Sequence, residues 1–134
     1  MRFFIDTNVF IYSLIAKYQL KKNVLQLLED YENQIYVSSE SIKEFIHLIQ
    51  QNRIKLDIKK IDDIFDYIET LGYTVKYVKK EHLKTLVNLP VVKTHNDPND
   101  RLIISQSITE KIPLISSDTA FPLYRKYGLE LIEN

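Results

Sequence analysis

Four times along this chain a short apolar run gives way to a stretch whose apolar residues recur every three or four positions. That alternation constrains the fold more than any other feature. The first run, Arg2 to Ile5, stops at Asp6-Thr7-Asn8 and passes into Val9 to Ile15, which is too long and unbroken for one strand; strand, turn and helix are predicted. Ile35-Tyr36-Val37 is a brief β-prone run, and Ser38-Ser39 then offer caps for a helix carrying Ile42, Phe45, Ile46 and Ile49 on one side. Tyr73 to Val78 alternates as a strand does and leads to a short helix over Glu81 to Asn88. Leu114-Ile115-Ser116 reads as a buried strand before the helical spacing of Asp118 to Tyr127, which Gly128 ends.

Between these units, Leu20, Val24, Leu27 and Leu28 predict a helix from Gln19 to Tyr31. Ile61, Ile64, Phe65, Ile68 and Leu71 predict another over Ile58 to Leu71, with Gly72 as its left-handed C-cap. Pro90 to Asn96 is a loop. Asp97-Pro98 then reads as N-cap and first residue of a helix through Leu102, Ile103, Ile104 and Ile108 to Lys111. Leu129 to Ile132 supplies a final edge strand. Strands alternating with helices need crossover connections, so the class is α/β, with a central, mostly parallel sheet of five strands covered on both faces. No internal repeat and no Gly-, Ser- or Pro-rich linker divides residues 1–134, which are expected to form one domain.

Hydrophobic residues are 45% of the chain and charged residues 27%, with two glycines and four prolines, so disordered and low-complexity classes fall away. The absence of cysteine excludes disulfides, thiolate metal sites and a cysteine nucleophile, and is compatible with a cytoplasmic location. Any metal must be held by oxygen or imidazole. Asp6 follows too soon for a signal-peptide core, and no apolar run approaches the roughly 18 to 20 residues of a membrane span, so a soluble, non-exported protein is expected. Eighteen basic residues balance eighteen acidic ones. The molecule as a whole therefore exerts no broad attraction on nucleic acid, and any such role rests on a local site.

In open α/β sheets, function gathers beyond the carboxyl ends of strands where strand order reverses. Asp6 directly follows the first strand, Glu44 lies two turns into the helix after the second, Asp100 sits in the first turn of a later helix, and Asp118 follows the Leu114–Ser116 strand. All four could converge at one end. Two carboxylates 4 Å apart repel by about 4 kcal/mol at an effective dielectric of 20, so such a cluster either protonates or recruits a cation. Oxygen donors without cysteine or a spaced histidine pair favour Mg²⁺ or Mn²⁺ over Zn²⁺.

These residues resemble a family. Met1 to Phe10, with its Asp6-Thr7-Asn8 triplet after a strand, is similar to the opening of PIN-domain nucleases, especially the VapC-type toxins. Val37 to Phe45 resembles that family's second block, in which a glutamate lies on a helix after a strand and a serine. Asp97 to Gln106 resembles the third, and Leu114 to Asp118 the fourth. Each block alone is weak; the specificity lies in four blocks in order on one α/β pattern. The resemblance implies a PIN-like three-layer α/β/α sandwich and a Mg²⁺- or Mn²⁺-dependent endoribonuclease. It also implies a translation-inhibiting toxin of a toxin–antitoxin pair, commonly a homodimer held silent by its cognate antitoxin. Asp6, Glu44, Asp100 and Asp118 would form the acidic metal site, supported by Thr7, Asn8 and Ser116. Asn99 departs from the apolar or aromatic residue many relatives carry.

Plainer accounts stand beside these. Asp97 before a proline is explained by helix capping, Asp118 could cap the segment after it, and Glu44 alone would be a solvated helix residue. His47, one turn after Glu44, could touch the same groove, while His82 and His95 have no spaced partner. Arg101, beside Asp100, suits either the substrate or a structural ion pair. The pairs Lys21-Lys22, Lys59-Lys60 and Lys79-Lys80 are chiefly solvated ends. A phosphoryl-accepting receiver domain is a competing class, but it wants paired acids after the first strand, where only Asp6 stands. A haloacid-dehalogenase-like phosphatase needs an aspartate where Asn8 lies. A binding module on a decayed nuclease fold is opposed by the presence of all four acids.

Overall fold

The computed structural model describes residues 1–56 and 63–134. Five strands, β1 (Arg2–Ile5), β2 (Gln34–Ser38), β3 (Tyr73–Lys76), β4 (Leu114–Ser116) and β5 (Leu131–Glu133), form one sheet in the order β3-β2-β1-β4-β5. Every pairing is parallel. Six α-helices accompany them among the described residues: α1 (Thr7–Ile15), α2 (Lys22–Glu29), α3 (Ser39–Gln50), α4 (Asp63–Thr70), α5 (Lys80–Asn88) and α6 (Pro98–Glu110). The chain adds β2 and β3 on one side of β1, then returns to place β4 and β5 on the other. The strand order therefore reverses between β1 and β4.

Strand alternation divides the interior into two cores. Phe3, Ile5, Ile35, Val37 and Ile115 face one side of the sheet, packing with Val9 and Phe10 of α1, Val24 of α2, Ile42 and Phe45 of α3, and Ile64 and Ile68 of α4. Phe4, Tyr36 and Leu114 face the other, against Ile103 and Ile104 of α6, Phe121 and Tyr124. With both faces covered, β1 and β4 must be apolar at nearly every position, which is why they read as continuous runs. The result is the three-layer α/β/α arrangement. Phe10 and Phe45 meet edge to face at 5.2 Å and lock α1 onto α3 beneath the sheet's carboxyl edge. No described helix is long and apolar enough to cross a membrane.

Several boundaries differ from the sequence expectation. The stretch predicted as one helix from Gln19 to Tyr31 divides into a 3₁₀ turn at Lys17–Gln19 and α2, because Leu20 takes an extended backbone between them and Lys21, also extended, precedes α2. Asp118 to Tyr127 is not an α-helix. It is a turn followed by a 3₁₀ segment at Phe121–Tyr127, whose second residue, Pro122, has no N–H for a backbone ladder. β3 stops at Lys76, two residues before the predicted end. In the Ile58–Leu71 prediction, Asp63–Thr70 is helical, while 58–62, with Lys59-Lys60, lies outside the described residues.

Candidate metal centre

The site is assembled from three chain segments at the reversal between β1 and β4. Asp6 leaves β1 with an extended backbone and caps α1, its Oδ1 accepting from the Val9 N–H at 2.8 Å. It is 3% exposed. Its backbone N–H donates to the Ile115 carbonyl at 3.1 Å, which stitches the end of β1 to β4. Ser116, the last residue of β4, donates its hydroxyl to Asp6 Oδ2, and Ser116 Oγ in turn accepts from the Asp118 N–H at 3.0 Å. One serine thus spaces two aspartates. Asp118 Oδ1 accepts from the Ala120 N–H at 2.8 Å, which turns the chain back from the sheet.

The third segment is the start of α6. Asp97 Oδ1 accepts from the N–H groups of Asn99 and Asp100, at 2.9 and 3.1 Å, and so starts the helix that carries half-buried Asp100. Asn99 accepts from Lys43 Nζ at 3.2 Å and ties α6 to α3. Ligand atoms of His95, Asp100 and Asp118 all lie within 4.8 Å of one another. Asp6 stands close enough that Asp100 and Asp118 both raise its carboxyl.

Electrostatics report the crowding. Burial pushes the Asp6 carboxyl up from 3.8 to about 6, against the opposing hydrogen bonds from Ser116 and Val9, and the charges of Asp100 and Asp118 add to the rise. Asp100 is also pushed up to about 6, by burial first, with the His95 hydrogen bond opposing and the Asp97 and Asp118 charges adding. A site that penalises its own carboxylates in this way is stabilised by a cation. The donor set is oxygen-rich, with one imidazole beside it, and fits a hard or borderline divalent ion.

The remaining sequence-derived candidates lie at varying distance from this trio. Thr7 is buried and donates to Ser41 Oγ at 2.9 Å, which fastens α1 to α3 one turn before Glu44. Glu44 is half-buried on α3 and does not share the group of mutually close ligand atoms. Asn8 and His47 are exposed. The Asp97 side chain is engaged in its cap. The Arg101 guanidinium is engaged with two backbone carbonyls and a tyrosine: Nη1 donates to Pro90 O at 3.0 Å and to the Tyr124 hydroxyl at 3.2 Å, and Nη2 to Leu89 O at 2.9 Å.

His82 and His95, for which the sequence offers no spaced partner, are both buried and both paired in the fold: His82 Nε2 lies 2.9 Å from Glu110 Oε1, and His95 Nε2 lies 3.1 Å from Asp100 Oδ2. Neither pairing follows a helical or strand period, so periodicity could not find them. For His95 the usable signal was proximity alone, two residues before the Asp97 cap. Tyr124, its other partner, is 29 residues away in the 3₁₀ segment.

A parallel sheet with carboxylates gathered where its strand order turns defines a class: an α/β protein with an acidic site at the carboxyl edge. The chain belongs to the PIN domain family, whose model matches residues 3–127. A search of curated protein sequences returns no significant match. Among solved structures it is similar to VapBC2 from Rickettsia felis bound to a DNA fragment from their promoter, with 20% identity, a TM-score of 0.75, and coverage of 100% of this chain and 99% of that one. VapBC-1 from nontypeable Haemophilus influenzae gives 19% identity, a TM-score of 0.66, and coverage of 99% and 98%. A toxin–antitoxin complex from Klebsiella pneumoniae gives 16%, 0.58, and 87% and 86%.

Proposed function

We propose that this protein is a divalent-metal-dependent endoribonuclease, the VapC-like toxin of a toxin–antitoxin pair that inhibits translation by cutting RNA. The observation that carries the reading is the gathering of Asp100 and Asp118, with His95, within 4.8 Å of one another at the β1–β4 reversal, beside buried Asp6, which Ser116 links to Asp118, the Asp6 and Asp100 carboxyls being pushed up to about 6. Membership of the PIN domain family supports it, as does likeness to VapBC and other toxin–antitoxin structures.

Asp6, Asp100 and Asp118 would hold Mg²⁺ or Mn²⁺, with Glu44 completing the acidic rim from α3. When bound, the ion supplies Lewis acidity, activating water and offsetting the charge that builds on the phosphodiester. The chain's own residues do the positioning. Ser116 fixes Asp6 against Asp118, the Val9 N–H holds the other Asp6 oxygen, Thr7 anchors the helix that bears Glu44, and Asp97 sets the first turn of α6. Asn8 and His47, both exposed, are the groups free to meet RNA near that rim. With zero formal charge, the monomer as a whole exerts no broad attraction on RNA; a homodimer would add a second half-site, and a cognate antitoxin would silence the groove.

The test is cleavage of a structured RNA by the purified protein, followed by sequencing of the RNA ends. Cleavage with Mg²⁺ or Mn²⁺ that is lost in EDTA and in both Asp6→Asn and Asp100→Asn supports the reading. Cleavage that persists in EDTA, or no cleavage in any metal together with labelling by acetyl phosphate, overturns it.

A further inference from the structure

Behind the acidic edge stands a buried imidazole with both nitrogens engaged. His95 is 8% exposed and is held edge-on by Phe121 and Tyr124, with ring centroids 5.6 and 5.4 Å away. Its Nδ1 lies 2.7 Å from the Tyr124 hydroxyl and its Nε2 3.1 Å from Asp100 Oδ2. The ring can neither swing nor flip without breaking contacts on both sides.

The proton positions follow from satisfying every group. Tyr124 has one proton and two possible acceptors, His95 Nδ1 at 2.7 Å and the His95 carbonyl at 3.2 Å. The shorter contact has the length of a strong O–H···N bond. Arg101 Nη1, donating to the Tyr124 oxygen at 3.2 Å, polarises that hydroxyl and makes it the better donor. With Nδ1 accepting, the imidazole proton resides on Nε2 and points at Asp100. The opposite tautomer would set a nitrogen lone pair against a carboxylate oxygen. Arg101 is itself fixed on the Leu89 and Pro90 carbonyls, so the relay from Arg101 through Tyr124 and His95 to Asp100 is anchored at its far end.

We propose that His95 is a positioning residue for the metal centre: it donates from Nε2 to Asp100 Oδ2, fixing the carboxylate's orientation and leaving its other oxygen for the cation. This rests on the metal-dependent reading above. It assigns function to a histidine and a tyrosine that lie outside the acidic motifs, and gives Arg101 a task that does not require contact with substrate. Hydrogen bonds of this type behind a ligand alter metal affinity by about 10- to 100-fold.

The experiment titrates Mn²⁺ into the full-length protein, reading free Mn²⁺ by electron paramagnetic resonance, alongside thermal unfolding in EDTA. His95→Phe, which keeps the aromatic packing, is expected to weaken Mn²⁺ binding by about 10- to 100-fold. His95→Gln places an amide donor near Nε2 and is expected to recover most of the affinity, and Tyr124→Phe to fall between. If His95→Phe does not fold, the glutamine and Tyr124 variants carry the comparison. Mn²⁺ affinity unchanged in His95→Phe or Tyr124→Phe, while Asp100→Asn abolishes binding, overturns the proposal and leaves the metal reading standing. A pulsed spectrum showing a nitrogen bonded directly to Mn²⁺ in the wild type, lost in His95→Phe, overturns it too, since the histidine would then be a ligand. Absence of a Mn²⁺ site in the wild type, with no difference in Asp6→Asn or Asp100→Asn, defeats both readings together.

Discussion

Replacing Asp6 by asparagine should make the metal-free protein more stable, although it removes a side chain buried in its own hydrogen-bond network. Burial and the neighbouring acids raise the Asp6 carboxyl from 3.8 to about 6, so the folded state holds that proton more tightly than the unfolded chain does. Stability from this group is fully present below about pH 3.8 and is lost as pH rises through about 6. At pH 7.5 the ionised Asp6 costs about 3 kcal/mol, from 1.36 kcal/mol for each pH interval of one. Asparagine avoids that cost but accepts less well from Ser116, a loss of about 1 kcal/mol. The net gain is about 2 kcal/mol, which for a chain of this size raises Tm by about 6–8 °C.

The assay is thermal unfolding in EDTA across pH. The advantage should be full at pH 7.5 and fall to nearly nothing at about pH 4.5, where the wild-type folded state is already protonated at Asp6 and the remaining ionisation cost of about 1 kcal/mol only matches the weakened serine contact. Adding Mn²⁺ should reverse the ranking, because binding to the folded state stabilises the wild type by mass action and leaves Asp6→Asn unmoved. An asparagine variant less stable than the wild type at pH 7.5 without metal, or a gap that ignores pH, would refute the argument that a cation offsets buried negative charge.

Asp97→Ala should destabilise by about 1 kcal/mol through loss of the α6 cap, with Asp97→Asn recovering most of it by urea unfolding. Asp97→Asn should also lower the Asp100 carboxyl, since the Asp97 charge helps raise it; NMR titration of Asp100 checks this. Arg101→Lys replaces a planar fork that holds two backbone carbonyls and a tyrosine hydroxyl by a single ammonium, and should cost about 1–3 kcal/mol with faster amide exchange around residues 89–95. Phe45→Ala empties a fully buried site beside Phe10 and should cost about 3–5 kcal/mol, seen as a lower urea midpoint at unchanged slope.

Much of the architecture was written in local pattern. Phe3-Phe4-Ile5 and Leu114-Ile115 are short, unbroken apolar runs because both faces of a central parallel strand are covered, and that needs no knowledge of the partner strands. Asp97-Pro98 announces the start of α6 because capping and proline geometry act within one turn. Where local signals compete, boundaries slipped: Leu20 sits at helical spacing with α2 yet is extended, and the periodic residues after Asp118 coil as 3₁₀ around Pro122.

What sequence alone determined was the kind of layer each segment builds, and that acids follow the strands in a fixed order. That β4 inserts beside β1 was decided by tertiary structure, since nothing within a three-residue strand names its neighbour. This pairing lets Ser116 hold Asp6 and Asp118 together. The same holds for His95, whose partners lie 5 and 29 residues away with no shared period. Periodicity is the imprint of a regular backbone on its own side chains; a contact between irregular segments leaves no such imprint, and exists only once the cores have packed.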